Sequence, residues 1–86
     1  MNEMDTNLNK TTYPQYRKYL NGKNYFKIIS PEELEEIHFN GDLCFVTKLH
    51  AKILPDRNLI YDLLFDFEKM ALEILEEEYE IMLKKC

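Results

Sequence analysis

The strongest short-range structural signal lies in residues 14 to 29, PQYRKYLNGKNYFKII. Asn21-Gly22 is the preferred pair for a two-residue type I′ turn, in which both residues need positive φ. If Leu20 lies opposite Lys23, the register of the two flanking strands follows from the turn. The pairs across the hairpin are then Lys18 with Tyr25, Tyr16 with Lys27, and Arg17 with Phe26. The stretch therefore predicts a β-hairpin and, with it, an antiparallel sheet.

The next segment, SPEELEEI at residues 30 to 37, has the pattern of a helix start. Ser30 and Glu33 have the spacing of a capping box, and a proline follows the serine at the favoured first helical position. We therefore expect a short acidic helix here, with Leu34 and Ile37 facing the core.

Two alternating runs follow this segment. Residues 42 to 53, DLCFVTKLHAKI, place most apolar side chains on one face and Lys48, His50 and Lys52 on the other. Residues 59 to 67, LIYDLLFDF, alternate in the same way, with aspartates opposite the apolar face. Because only the short loop LPDRN joins the runs, the pattern predicts an antiparallel pair of strands.

The C-terminal piece, residues 68 to 84, allows two interpretations. Its Glu, Leu, Met, Ala and Lys content favours helix throughout. However, EILEEEYEIM at residues 73 to 82 repeats the order of IISPEELEEI at residues 28 to 37, an apolar run followed by an acidic segment. That repeat suggests a strand over residues 70 to 75 and a helix over residues 76 to 84.

These patterns predict an α+β fold. Residues 1 to 12 are polar and Asn-rich, and are expected to form a disordered tail, while residues 13 to 86 form one small domain. We expect an antiparallel meander of about four strands, covered on one face by one or two short acidic helices. The alternative keeps the hairpins and makes residues 59 to 84 mainly one long helix.

Three phrases of the chain resemble a group of short, conserved bacterial proteins of unknown activity. They are NGKNYFKIISPEELEEI at residues 21 to 37, AKILPDRNLIYD at residues 51 to 62, and EEEYE at residues 76 to 80. The resemblance spans roughly residues 13 to 84 and implies a small α+β domain whose C-terminus is a strand followed by a helix. It implies no activity, substrate or cofactor.

Composition makes several classes of protein improbable. The net charge of -5 argues against general nucleic-acid binding, which needs a basic surface. The N-terminus lacks the apolar core of a signal peptide, and no apolar run approaches the roughly 18 residues that span a bilayer, so we expect a cytoplasmic location. Cys44 is expected to be a buried thiol and Cys86 an unpaired terminal one, with no metal or cofactor.

The first candidate binding site is the basic aromatic ribbon, residues 13 to 27. Its tyrosines alternate with lysine and arginine, the combination that single-stranded nucleic-acid binders use. The candidate residues are Tyr16, Arg17, Lys18, Tyr19, Tyr25 and Lys27. Tyrosine also favours strands and lysine protects sheet edges, so the ribbon can equally bind the acidic helices of a second copy.

The second candidate site is the polar segment after residue 51. An arginine near carboxylates can orient an anion or an acyl group. The candidate residues are Lys52, Asp56, Arg57, Asn58 and Asp62. Turn chemistry explains the same residues without a function, because Pro-Asp initiates turns and Asn tolerates left-handed geometry.

No catalytic residue is predicted. His50 lacks an orienting carboxylate on its strand face, and the chain has no glycine-rich phosphate loop. The predicted function is a non-enzymatic interaction or regulatory module, acting as a homodimer or with an unidentified protein partner and without a membrane. The alternative is a nucleic-acid-associated accessory protein that uses the basic aromatic ribbon, and an enzyme centred on the polar segment ranks third.

Overall fold

In the computed structural model, which describes residues 11 to 86, five strands and two helices form an α+β fold, as predicted. The strands are β1 (Gln15–Tyr19), β2 (Asn24–Ser30), β3 (Glu33–Asn40), β4 (Leu43–His50) and β5 (Ala71–Glu73), and the helices are α1 (Leu54–Phe65) and α2 (Glu76–Lys85). The sheet is antiparallel with the order β4-β3-β2-β1-β5, so β4 and β5 are its edges. Most of the predicted N-terminal tail, residues 1 to 10, lies outside the described residues.

The register of the first hairpin is confirmed, but its turn type is wrong. Lys18 pairs with Tyr25, Tyr16 with Lys27, and Arg17 with Phe26. Gly22 has a φ of 72°, whereas Asn21 does not have the positive φ that a type I′ turn needs. The Gly22 N–H donates to the Tyr19 carbonyl at 2.9 Å, and the Asn21 side chain accepts from the Lys23 N–H at 2.8 Å. Asn21 thus stabilises the turn by the hydrogen bond of its side chain and not by a positive φ.

The predicted helix over residues 30 to 37 is wrong, because these residues form a second hairpin. Ser30 Oγ accepts from the Glu32 N–H at 3.2 Å, so the apparent helix cap closes the turn between β2 and β3. Leu34 and Ile37 are both buried, and strand alternation sends them to opposite faces of the sheet. Burial on two faces therefore outweighs the local helix signal.

The predicted strand over residues 59 to 67 is also wrong, because most of this run belongs to α1. Pro55 lies in the first turn of α1, where its missing N–H is tolerated, and Asp56 suits the helix dipole. The buried side chains Ile60, Leu63 and Leu64 follow the spacing of one helix face. The apolar residues of this run fit both the two-residue period of a strand and the spacing of a helix. Packing against the sheet favours the helix.

At the C-terminus, the second of the two interpretations, a strand followed by a helix, is confirmed. β5 pairs with β1, with Glu73 opposite Arg17, and α2 begins at Glu76. The alternative of one long helix over residues 59 to 84 is therefore not needed. The sequence repeat that suggested this division is not structural, since residues 28 to 37 fold as strand, turn and strand.

The two helices pack against opposite faces of the sheet, whereas the sequence predicts cover on one face. The α1 side is a cluster of buried residues: Phe26, Ile28, Leu34, Ala51, Ile60, Leu63, Leu64 and Ala71. The α2 side consists of Tyr16, Tyr25, Ile37 and Tyr79. Because the central strands carry apolar side chains on both faces, each face needs its own helix.

A disulfide bond joins Cys44 in β4 to Cys86, directly after α2. Their Cα atoms are 5.5 Å apart across a sequence separation of 42 residues. The prediction of a buried free thiol and an unpaired terminal one is therefore wrong. The sequence alone does not show that the two cysteines come close enough to bond, because it is the fold that brings them together.

Candidate functional site

The basic aromatic ribbon lies inside the sheet rather than at its edge. β1 is flanked by β2 and β5, and β2 by β1 and β3. Tyr16 and Tyr25 are each only 7% exposed, and the ring centroid of Tyr16 lies 5.4 Å from that of Tyr79 in α2. These two rings belong to the core, and base stacking by the ribbon stays a prediction from the sequence.

The other side chains of the ribbon, Lys18, Tyr19 and Lys27, lie beside partners within the same chain. Lys18 Nζ donates to Glu78 Oε2 of α2 at 2.9 Å, and this hydrogen bond raises the pKa of Lys18. The Tyr19 ring packs against Phe26 with centroids 4.8 Å apart, and burial raises the pKa of Tyr19. Half-buried Lys27 lies between Tyr16 and Glu35 in the strand register. Basic side chains of β1 and β2 thus lie beside acidic side chains of α2 and β3.

Arg17 is the one buried charged residue of the described chain, at 4% exposure. Its Nε donates to the Leu63 carbonyl at 2.9 Å and its Nη1 to the Tyr16 carbonyl at 2.8 Å. The guanidinium carbon lies 4.3 Å from the centre of the Phe67 ring. Burial lowers the pKa of Arg17, and the nearby Glu73 partly opposes this effect. Arg17 therefore binds the last turn of α1 to the sheet.

Tyr79 holds α2 on the other face and was not singled out from the sequence. Its hydroxyl donates to Glu35 Oε1 at 2.7 Å, and its side chain is fully buried. Burial is the main cause that raises the pKa of Tyr79, followed by the hydrogen bond to Glu35. Only the knowledge that α2 covers β3 identifies this pair.

The second candidate site is the start of α1 rather than a loop. Arg57 Nε donates to the Ala51 carbonyl at 3.1 Å, and Nη2 lies 3.8 Å from Glu32 Oε1. Arg57 therefore meets the acid of the β2–β3 turn and not the predicted carboxylates. Of the other four residues, Lys52 and Asn58 are exposed, and Asp56 and Asp62 are half-buried.

Both histidines lie beside polar or aromatic partners among the described residues. His50 Nε2 lies 3.3 Å from Glu33 Oε2, a partner that the predicted helix over residues 30 to 37 concealed. His38 Nδ1 lies 3.0 Å from Asn24 Nδ2, and its ring stacks on Phe45. Within residues 11 to 86, no three His, Cys, Asp or Glu side chains are grouped to hold a metal ion. No helix in this range has the length and hydropathy needed to cross a membrane.

The outer edge of β4 is a further candidate binding surface. The Ala51 N–H donates to the Glu32 carbonyl at 2.7 Å, so the odd-numbered residues of β4 direct their backbone groups to β3. The backbone groups of Cys44, Val46 and Lys48 therefore point away from the sheet. Three apolar side chains of β4 are exposed by 59%, 48% and 44%: Leu43, Phe45 and Val46.

The two edges of the sheet differ in a way that matters for binding. Natural proteins protect sheet edges by short strands, prolines, charges or bulges. β5 has three residues, which is short enough to protect that edge. β4 has eight residues, no proline, one lysine and a regular register along its whole length. The sequence did not identify this edge, because it predicted a strand partner over residues 59 to 67.

Comparisons with known proteins assign no family to the chain. It matches no protein-family model, no curated protein sequence and no solved structure. Function is therefore inferred from the geometry of the described residues.

Proposed function

We propose that this protein is a non-enzymatic interaction module that binds an extended protein segment at the outer edge of β4. The observation that carries the proposal is the direction of the backbone groups of Cys44, Val46 and Lys48, which point away from β3. An added strand would hydrogen-bond to these groups and cover Phe45 and Leu43. This mode of binding is β-strand addition, in which the main chain supplies affinity and the side chains supply specificity.

Val46→Pro is expected to abolish binding at this edge while leaving the fold intact. Proline removes the outward N–H of residue 46 and is tolerated on the open side of an edge strand. We expect at least a tenfold smaller yield of proteins retained from a cell lysate by the immobilised variant than by the natural chain.

Phe45→Pro is the matched control for that experiment. It removes an N–H that points to β3, so we expect it to lower stability and not only binding. If the natural chain and Val46→Pro retain the same proteins in the same amounts, strand addition at β4 is not the function.

The nucleic-acid alternative stays a prediction from the sequence alone. In its binding surface, the basic aromatic ribbon, Tyr16, Arg17 and Tyr25 are buried and Lys18 is paired with Glu78. Replacing Arg17 to test nucleic-acid binding would mainly test folding, because the Arg17 guanidinium holds α1 to the sheet. No described contact favours this alternative over strand addition.

A cytoplasmic location belongs to the same proposal, and the disulfide offers its most direct test. Cytosolic thiols are kept reduced, so a cytoplasmic protein is expected to hold Cys44 and Cys86 mainly as thiols in growing cells. Alkylation of intact cells before lysis, followed by mass measurement of the purified protein, counts the free thiols. A fully oxidised pair at harvest would speak against the cytoplasm and for an oxidising compartment.

A further inference from the structure

We propose that the strand bound at β4 is β4 of a second copy, paired antiparallel about a two-fold axis at Phe45. This inference rests on the proposed function and names its partner. Two five-stranded sheets would then join into one sheet of ten strands. A two-fold contact of this kind uses the same surface on both copies, so one strand must be complementary to itself.

The backbone of β4 meets that requirement. In antiparallel pairing, residues whose groups point outward must lie opposite one another. With Phe45 on the axis, Val46 lies opposite the partner's Cys44, and Cys44 lies opposite the partner's Val46. Both residues direct their N–H and C=O groups outward, so each of these pairs can exchange two hydrogen bonds.

The charges beside β4 select this register. With the axis at Phe45, Lys48 lies across from the position directly before the partner's β4, where the turn residue Asp42 stands, and two-fold symmetry repeats the ion pair. Neither Lys48 nor Asp42 makes an ion pair within residues 11 to 86, whereas Lys18, His50 and Arg57 each have an acidic partner. Moving the axis to Val46 or Thr47 places Lys48 opposite an uncharged residue, Cys44 or Val46 respectively. Moving it to Cys44 places Lys48 beyond the start of the partner's β4.

The apolar side chains of β4 fit the same register. Phe45 would face its own copy at a non-hydrogen-bonded position, where side chains approach most closely and aromatic pairs stabilise a sheet. Leu43 would face the partner's Thr47. In the single chain Leu43 and Phe45 are about half exposed, so pairing would remove apolar surface from water.

The net charge of -5 on each copy opposes their approach. At physiological ionic strength, repulsion between charges more than about 8 Å apart is largely screened. The groups nearest the axis carry opposite signs, so the local attraction acts where screening is weakest. Association is therefore expected to need salt near physiological strength.

A charge exchange tests the partner and the register together. By sedimentation equilibrium of the full oxidised chain, we expect a dimer whose dissociation constant rises at least tenfold for Lys48→Asp and for Asp42→Lys. Each single change places like charges opposite each other twice. The double variant Lys48→Asp with Asp42→Lys restores opposite charges, so its dissociation constant should return to within about threefold of the natural value.

Lys69→Asp is the matched control for Lys48→Asp, because both variants replace a lysine by an aspartate and so change the net charge equally. Lys69 lies in the segment between α1 and β5, away from β4 in sequence. We expect Lys69→Asp to leave the dissociation constant unchanged. Amide exchange gives a second readout. The Val46 amide should become protected as protein concentration rises, while the Thr47 amide, which points to β3, stays protected throughout.

The possible failures are distinguishable. A monomer at all concentrations, combined with protein capture that Val46→Pro abolishes, would overturn the second copy and leave strand addition standing. A dimer that the double variant does not restore would overturn the pairing about Phe45. A monomer whose capture of other proteins is insensitive to Val46→Pro would overturn both proposals.

Discussion

Replacing Cys86 by serine is expected to lower the free energy of unfolding by about 2 to 4 kcal/mol relative to the oxidised protein. The bond to Cys44 spans 42 residues of sequence, and such a link restricts the unfolded chain more than the folded one. The disulfide also holds the end of α2 to the sheet. This helix has only ten residues and one fully buried side chain, Tyr79, so few other contacts hold it in place. A helix this short depends on tertiary contacts.

Cys86→Ser is preferable to Cys44→Ser because Cys86 is exposed, while Cys44 packs against the cluster on the α2 side. Denaturant unfolding of four samples separates the effects: natural chain and variant, each with and without reductant. We expect the reduced natural chain to unfold at the same denaturant concentration as the variant, which should not respond to reductant. Equal midpoints for the oxidised and reduced natural chain would contradict the expectation.

The parts of the fold that the sequence predicts correctly are those fixed by near neighbours along the chain. The register of the first hairpin follows from Asn21-Gly22, even though the turn type does not. Gly41, with a φ of 62°, turns the chain between β3 and β4, but this hairpin was not predicted, because residues 30 to 37 were expected to be a helix. In the first hairpin the pairing partners are close in sequence, so turn chemistry decides the register.

The errors in the fold arise where distant contacts decide between two local structures. Residues 30 to 37 carry a helix-start pattern, but strand geometry lets Leu34 and Ile37 reach two different hydrophobic clusters. Residues 59 to 67 alternate like a strand, but one helical face buries Ile60 and Leu63 together. Each outcome depends on which faces of the sheet need cover, and that is a property of the whole fold.

Distant contacts also decide the surroundings of the candidate site residues. Alternation shows that Tyr16 and Lys18 share a face of β1, but not that α2 covers this face. Nor does local sequence show that β5 pairs with β1 and moves the ribbon away from the edge. The open edge of β4 was missed for a related reason. A strand lies at the edge only when no other segment pairs with it, and the sequence predicted a partner strand over residues 59 to 67.

Arg17→Met is expected to lower the free energy of unfolding by about 2 to 4 kcal/mol. The variant keeps a long side chain but removes hydrogen bonds to the carbonyls of Leu63 and Tyr16. Leu63 lies in the last turn of α1, whose carbonyls lack partners within the helix, and α1 has no basic residue of its own there. The Leu63 carbonyl would lose its charged donor, whereas the Tyr16 carbonyl keeps the Ile74 N–H at 3.2 Å.

An opposing effect limits the expected loss. Burial of the guanidinium costs free energy, as the lowered pKa of Arg17 indicates, and an apolar side chain avoids that cost. Replacing a buried charged group by a hydrophobic one is neutral only when its partners are replaced as well. Two of the three hydrogen-bond partners are backbone carbonyls, which no side-chain substitution removes, and the third is Gln15 Oε1 at 3.3 Å. The loss of hydrogen bonds therefore dominates.

Lys18→Met is the matched control, on the same strand and the opposite face. Lys18 pairs with partly exposed Glu78, and such surface pairs contribute about 0 to 1 kcal/mol. Arg17→Lys should fall between the two, since it keeps the charge but not the planar fork that reaches two carbonyls. Urea unfolding of the three variants ranks their free energies of unfolding. Faster amide exchange in the last turn of α1 should accompany Arg17→Met alone. If Arg17→Met were no more destabilising than Lys18→Met, the contact between β1 and α1 would not hold the helix to the sheet.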